Sequence, residues 1–428
     1  MSDEEYTETT HQSWGNRLCQ SLFGVCVGIL LFAIAPILLF WNEGRSIERI
    51  KVIQEASNAV LPGYITEYSA LNDGALVAVS GVLAKPATNL TLKDNAPLPF
   101  QISEVLDSHL ISLQRQENGP LLYLHRDVSY FEWKEDVETT TKKTAGGGET
   151  TTKNYSYSKT WTSTHYDSNN FKNSQYHQNM KPQYEDASFT THDKVILMQF
   201  DENTDMWLSP SLVNELIDRT WGGTDIGLAL NWRPSTSEIN PAGPPEIGDN
   251  KFTWKAVGPT VVSALAMQYS GGSLGTWISS QGRDFTYINV GTLTTFGMIK
   301  AAEKENAMTT WIIRAVGLIV WWISFSMIAK PLSVVADVAT IPCLGFEPGT
   351  LVEYLTGCVA FLTSSICSLI TISLAWLFYR PLYAVILIIF AVGITIFARQ
   401  QVAKNKKKEP QYSFAPIELT NRDIKPIN

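Results

Sequence analysis

The middle of this chain has no cysteine: the five cysteines are Cys19, Cys26, Cys343, Cys358 and Cys367, and none falls between 42 and 307. Disulfides and thiolate metal sites are thereby excluded as supports for that region. Histidine is scarce as well, and none follows His192. His109, His125, His165, His177 and His192 show no H-E-x-x-H or other ligand spacing, so no metal is expected and most should be ordinary surface or strand residues. No Walker or Rossmann glycine pattern sits between a strand and a helix, and Gly222-Gly223-Thr224-Asp225-Ile226-Gly227 lacks the required third-position glycine. No cofactor is expected. Basic residues are in the minority in the middle, where 42–307 holds 31 acidic and 22 basic side chains. Nucleic acid is therefore not a natural partner.

In several stretches charge itself is missing. Leu22 to Trp41 is twenty residues without one, about the length a helix needs to cross a hydrocarbon layer of about 30 Å. The preceding tail carries four acidic residues and one Arg, and Pro36 directly follows the small residues Ala33 and Ala35. An uncleaved anchor, kinked at Pro36, is expected rather than a removed signal peptide. Met308 to Ile328 is a second run whose single charge, Arg314, lies in its first two turns. Snorkelling of that side chain to the interface is the plainer reading, and a specific ion pair is the alternative. Leu355 to Phe378 and Leu382 to Phe397 give a third and fourth run, joined tightly through Tyr379, Arg380 and Pro381.

The fold class expected is a membrane protein of α+β type: four transmembrane helices, one N-terminal and three C-terminal, around a large β-rich extramembrane domain. The boundaries are a tail over 1–21, a span over 22–41, the domain over 42–307, a span over 308–328, a loop over 329–354, spans over 355–378 and 382–398, and a basic tail over 399–428. Arg399, Lys404, Lys406, Lys407 and Lys408 follow the last run, which places that tail in the cytoplasm. Four crossings then put the N-terminal tail and the 329–354 loop in the cytoplasm and the domain on the exoplasmic or lumenal side.

Within the domain, Ala75 to Leu83, Lys194 to Phe200 and Val261 to Tyr269 read as strands. Gln54 to Val60 and Ser209 to Arg219 read as helices, the second with Ser209 as N-cap and Pro210 in its first turn. Tyr130 to Trp161 reads as a hairpin closing at Gly146, Gly147 and Gly148. A turn centred on Gly147 faces Trp133 with Trp161, Glu135 with Lys159 and Val137 with Tyr157, though the Thr- and Gly-rich tip permits a slip of two residues. Mobility is expected from Thr139 to Lys153. Gly271-Gly272-Ser273-Leu274-Gly275 matches the nucleophile-elbow pattern of serine hydrolases, but no histidine follows to serve as base, so a glycine-rich turn is favoured over catalysis by Ser273.

Three segments at the membrane boundaries carry a resemblance. They are Asn42-Glu43-Gly44-Arg45, Met308-Thr309-Thr310-Trp311 running to Arg314 and Ala315, and Trp376-Leu377-Phe378-Tyr379-Arg380-Pro381-Leu382. With Phe131-Glu132-Trp133, Tyr155-Ser156-Tyr157 and Asn169 to Phe171 in the same order, the chain resembles the LUMA family, also called transmembrane protein 43. The resemblance implies a non-enzymatic scaffold that self-associates and organises membrane protein complexes. It also implies the endoplasmic reticulum and inner nuclear membrane in a eukaryote, with lamin- or emerin-like partners in an animal host. A distant, bacterial member would sit in the inner membrane. On the expected topology Glu43, Arg314 and Arg380 emerge at one face, and Glu43 should pair with Arg380 or Arg314. Arg45, Pro381, Trp133 and Trp161 complete the set of structural and interaction candidates. A transport or channel component is the first alternative, and the scarcity of charged groups within the runs speaks against it.

Overall fold

The computed structural model describes residues 6–65, 67–84, 98–116, 122–144, 146–190, 195–198, 206–220, 222–258, 260–337 and 348–382, with single helical residues at 385, 389 and 396. Its helices are α1 (Trp14–Ala59), α2 (Phe100–Gln116), α3 (Pro210–Arg219), α4 (Thr295–Ala336) and α5 (Pro348–Tyr379). The strands before α3 are β1 (Tyr6–Gln12), β2 (Leu76–Ala84), β3 (Tyr123–Lys143), β4 (Glu149–Thr162), β5 (Ala187–Thr190), β6 (Val195–Met198) and β7 (Trp207–Leu208). After it come β8 (Thr224–Arg233), β9 (Glu238–Ile239), β10 (Asn250–Val257), β11 (Val261–Gln268), β12 (Ser273–Gly275), β13 (Trp277–Ile278), β14 (Asp284–Phe285) and β15 (Tyr287–Val290).

Among the described residues two large sheets and a two-stranded one, β13-β14, make the domain. One runs β1-β4-β3-β10-β8-β9, with β5 also on β3; the other runs β12-β7-β6-β2-β11-β15, and β12 returns to pair with β11. The second sheet is apolar on both faces. Val77, Val79, Val262 and Ala264 pack toward α3 through Leu212, Leu216 and Ile217. Leu76, Ala78, Leu265 and Tyr287 pack toward Val52, Ile53 and Ala56 of α1 and Met298, Ile299 and Ala302 of α4. The helices that leave the domain are thus part of its core. The first sheet closes a separate core on α2, with Phe252 and Trp254 against Ile102, Leu106 and Leu110.

Three helices, α1, α4 and α5, are long and apolar enough to cross a membrane. The apolar runs mark only part of each. α1 begins at Trp14, capped by the Ser13 hydroxyl, and continues unbroken through Pro36 and Glu43 to Ala59. Gln54 to Val60 is therefore the end of this helix rather than a separate one, because no breaker intervenes and Val52, Ile53 and Ala56 are buried against the sheet. α4 likewise extends the 308–328 run at both ends, starting from a Thr294 cap and passing Pro331. The expected 329–354 loop is helical at either end, and 338–347 lie outside the described residues. The expected fourth span over 382–398 falls largely outside them too, so three membrane-capable helices, not four, are described.

α3 forms over Pro210–Arg219 as expected. The three expected strands appear as β2, β6 and β11, the flanks of β6 lying outside the described residues. The hairpin forms in the slipped register. Phe131 faces Trp161, Trp133 faces Lys159, Glu135 faces Tyr157 and Val137 faces Tyr155. Thr144 and Gly148 close the tip by a backbone bond (2.8 Å) around Gly146 and Gly147, both at positive φ. The aromatic pairing survives with Phe131 on Trp161 (5.4 Å between centroids), while Lys159 lies 4.8 Å over the Trp133 ring.

Nor does the tip stand free. β1 from the N-terminal tail adds to the outer edge of β4, from Tyr6 opposite Tyr155 to Gln12 opposite Glu149. An exposed edge strand offers unpaired N–H and C=O groups, and an alternating Thr-rich segment is well suited to take them. At the tip Arg17 donates to the Gly147 carbonyl and pairs with Glu149 (3.1 Å), while buried Asp337, just beyond α4, receives Arg17 (2.8 Å) and Lys143 (3.0 Å). These contacts join the domain to the helix ends that the expected topology places across the bilayer.

Candidate functional site at the membrane-proximal helix junction

Residues 42 to 46 of α1, 306 to 314 of α4 and 376 to 379 of α5 meet where the apolar runs end on the domain side. Helical spacing assembles the site. Asn306, Thr310 and Arg314 are four apart and share one face of α4, and Asn42, Glu43, Arg45 and Ser46 present their polar atoms to it.

The centre is the Glu43 carboxylate, whose side chain is 2% exposed. Arg314 grips it with both prongs, Nε donating to Oε1 (2.7 Å) and Nη2 to Oε2 (2.8 Å). Trp376 Nε1 donates to Oε2 from the third helix (2.8 Å). A fork-to-carboxylate pair is among the stronger polar contacts, and a third donor satisfies a remaining lone pair. Trp311 and Trp376 flank the guanidinium, their ring centroids 4.8 and 5.8 Å from Cζ. Snorkelling is thus not what Arg314 does: it stays 15% exposed because its counter-ion is on the neighbouring helix.

A second layer lies next to it. Arg45 reaches Asn306 Oδ1 (3.4 Å), Asn42 Oδ1 (3.3 Å) and Thr310 Oγ1 (3.3 Å). Asn42 donates to the Thr310 carbonyl (3.1 Å) and Asn306 to the Ser46 carbonyl (2.9 Å). Among the described residues, the buried Arg45 Nε has no partner. Gly44 lies directly against α5, since a Cβ there would stand 2.8 Å from the Tyr379 ring. Farther down, Gly28 sits under Ser324, whose hydroxyl donates to its carbonyl (2.9 Å), and Gly317 lies against Leu39.

Of the residues singled out in the sequence, Glu43, Arg45 and Arg314 come together here. Arg380 is near in sequence but does not hold Glu43; its backbone N–H bonds the Trp376 carbonyl (2.7 Å), and Pro381 follows it. Trp133 and Trp161 belong to the hairpin, remote from the junction along the fold. Trp376, Asn42, Asn306 and Thr310 were missed as participants, although their three- and four-residue spacing was visible. Ser273 is no elbow nucleophile. Gly271 and Gly272 adopt positive φ in a tight turn from β11 into β12, and a strand rather than a helix follows. Among the histidines, His177 stacks on Tyr157 (3.9 Å), His165 binds buried Glu132 (2.7 Å), His125 pairs with Asp127 (3.2 Å) and His109 meets the Ile226 carbonyl (3.2 Å). His192 lies outside the described residues. Among the described residues no group of His, Cys, Asp and Glu could hold a metal ion.

A family model described as Transmembrane protein 43 matches residues 130–381. The chain is similar over 91% of its length to Transmembrane protein 43 of Rattus norvegicus (25% identical, 93% of that protein covered) and of Homo sapiens (24%, 93% covered). It is 22% identical to the Transmembrane protein 43 homolog of Drosophila melanogaster over 85% of the chain and 90% of that protein. No solved structure matches it.

Proposed function

Because the chain belongs to the transmembrane protein 43 family, we propose that it is a non-enzymatic, multi-pass membrane scaffold that associates with itself and organises other membrane proteins. The carrying observation is the Glu43 junction, where one carboxylate ties α1, α4 and α5 together directly beneath the domain. With Val52, Ile53, Met298 and Ile299 inside the domain core, the helices and the domain share one packed core. Residues 382–398 supply a fourth crossing, the basic tail lies in the cytoplasm and the domain body projects from the other face. The membrane is the endoplasmic reticulum or inner nuclear membrane in a eukaryotic host, with lamin- or emerin-like partners in an animal, and the inner membrane in a bacterium. Crosslinking in native membranes, followed by mass spectrometry, should recover self-crosslinks and co-captured membrane proteins that disappear with Glu43→Arg. A chain recovered only as an uncrosslinked monomer would sink the proposal.

A further inference from the structure

β3 outruns its support. β10 accompanies it only as far as Tyr130, and from there to Lys143 its strand partner among the described residues is β4 alone. On the side away from β4, Phe131 exchanges backbone bonds with Gly248 and Asp249. Trp133 is closed by a side chain instead: its N–H donates to Asn179 Oδ1 (2.8 Å) and Asn179 Nδ2 donates to its carbonyl (2.9 Å). Strand periodicity turns the N–H and C=O groups of Val137, Thr139 and Thr141 the same way, and among the described residues no strand meets them. The side chains from Asp136 to Lys142 are exposed.

A two-stranded ribbon with no layer packed on it is marginal in water and gains from further strands. β1 supplies one at the opposite edge, where it sets Glu8 against Lys153. With the domain and the N-terminal tail on opposite sides of the membrane, as in the reading above, β1 is withdrawn and the outer hairpin needs another partner. The order of charges along β3 names it. Asp136 and Glu138 come before the threonines 139–141, and Lys142 and Lys143 come after them. Such a strand is complementary to a copy of itself run antiparallel. Turned about Thr140, the ladder sets Glu138 opposite Lys142 twice, Thr139 opposite Thr141 twice and Thr140 opposite Thr140. Among the described residues neither Glu138 nor Lys142 has an ion-pair partner of its own. Opposite charges directly opposed stabilise an antiparallel pair, whereas a parallel pairing would set like on like.

We propose that the outer edge of β3, from Val137 to Thr141, is where two copies of this chain join, forming a four-stranded sheet β4-β3-β3-β4. The inference rests on the self-association proposed above and locates it. For two chains upright in one membrane the two-fold lies along the membrane normal, so the paired hairpins lie parallel to its surface, swung from the helices at Tyr130, where β10 ends. The test is oxidation by copper phenanthroline of the full chain in liposomes, with its other cysteines replaced and one introduced. Thr140 faces its own copy as a non-hydrogen-bonded pair, about 4.5 Å between Cα atoms, a separation that a disulfide spans. Thr140→Cys should therefore give about tenfold more linked dimer than Ser235→Cys, in the exposed turn after β8. In the Thr140→Cys chain, Glu138→Lys and Lys142→Glu should each lower the yield about tenfold, and both together should restore it. A mixture of the two single charge variants should link to each other in preference to themselves. If Thr140→Cys links no better than Ser235→Cys while an amine-reactive crosslinker still captures dimers, this edge is not the interface and the scaffold reading stands without it. Dimers by neither route would remove both. Linking through Thr151→Cys on β4 in place of Thr140→Cys would move the junction to the other edge and overturn the proposal.

Discussion

At the scale of single residues the sharpest consequence concerns Glu43. Removing one member of a buried pair strands the other, a larger loss than the pair's net worth. Glu43→Gln and Arg314→Gln should each lower the stability of the detergent-purified chain by about 3 kcal/mol. The double variant should lose much less than the sum, and Arg380→Gln should stay within about 0.5 kcal/mol of wild type. Thermal melts of the four proteins check this, and equal losses for Arg314 and Arg380 would contradict it. Tyr157 gives a pH signature. Burial first, then its hydrogen bond to Glu135, pushes its phenol up to about 12 from an ordinary 10. The folded chain keeps that proton where the unfolded chain releases it, so the stabilisation is complete below pH 10 and declines as pH rises from 10 to 12. Burial also raises Tyr64, Tyr130, Tyr155, Tyr184 and Tyr287, so titration of phenolate absorbance should show several late tyrosines, with one fewer at the high-pH end in Tyr157→Phe.

Elements show what could be read in advance. The apolar runs were legible because lipid-facing helices need only length and absence of charge, as were α3, with its cap and proline, and the arms of the hairpin. The helix ends were not, since α1 and α4 continue into water on contacts made by Ile53, Ala56, Met298 and Ile299 with a sheet assembled from distant sequence. The register was ambiguous for a physical reason: a slip of two keeps every side chain on its face. β1 could not be foreseen at all, because a polar Thr-rich tail becomes a strand only beside an open edge. At the junction, Glu43 and Arg314 were legible as charges at span ends, whereas the choice of Arg314 over Arg380 depends on how α4 and α5 rotate about α1. That rotation is set by small residues. A Cβ on Gly317 would come 2.3 Å from Leu39 Cδ2. Gly317→Ala should cost about 1 to 3 kcal/mol by overpacking, and Leu39→Ala in the same chain should recover part of it. Melting temperatures of the single and double variants decide.

For the whole molecule, the reach of the hairpin matters most. From Phe131 to Lys143 it extends about 40 Å, comparable to the length of α1 between Glu43 and Arg17. Asp136, Glu138, Thr139 to Thr141 and Lys142 are exposed along it, and such groups cannot lie in hydrocarbon. Docking of the tip on Arg17 and Asp337 therefore requires a flank reached by water, and a bilayer that closes round α1 releases it. Thr9 and Thr152 are directly opposed in the register. A Thr9→Cys, Thr152→Cys chain, with its other cysteines replaced, should form a disulfide in detergent and remain reduced in intact membranes; efficient crosslinking in membranes would show that the flank stays wet. The Glu43 junction also sets an order of manufacture. Arg314 is made 271 residues after Glu43, and Trp376 later still. At about 5 to 20 residues per second, roughly 15 to 55 s of synthesis separate the carboxylate from its first partner. Throughout that time the first helix must wait in the membrane with its acid unclaimed, so the bundle locks only after the whole domain has left the ribosome.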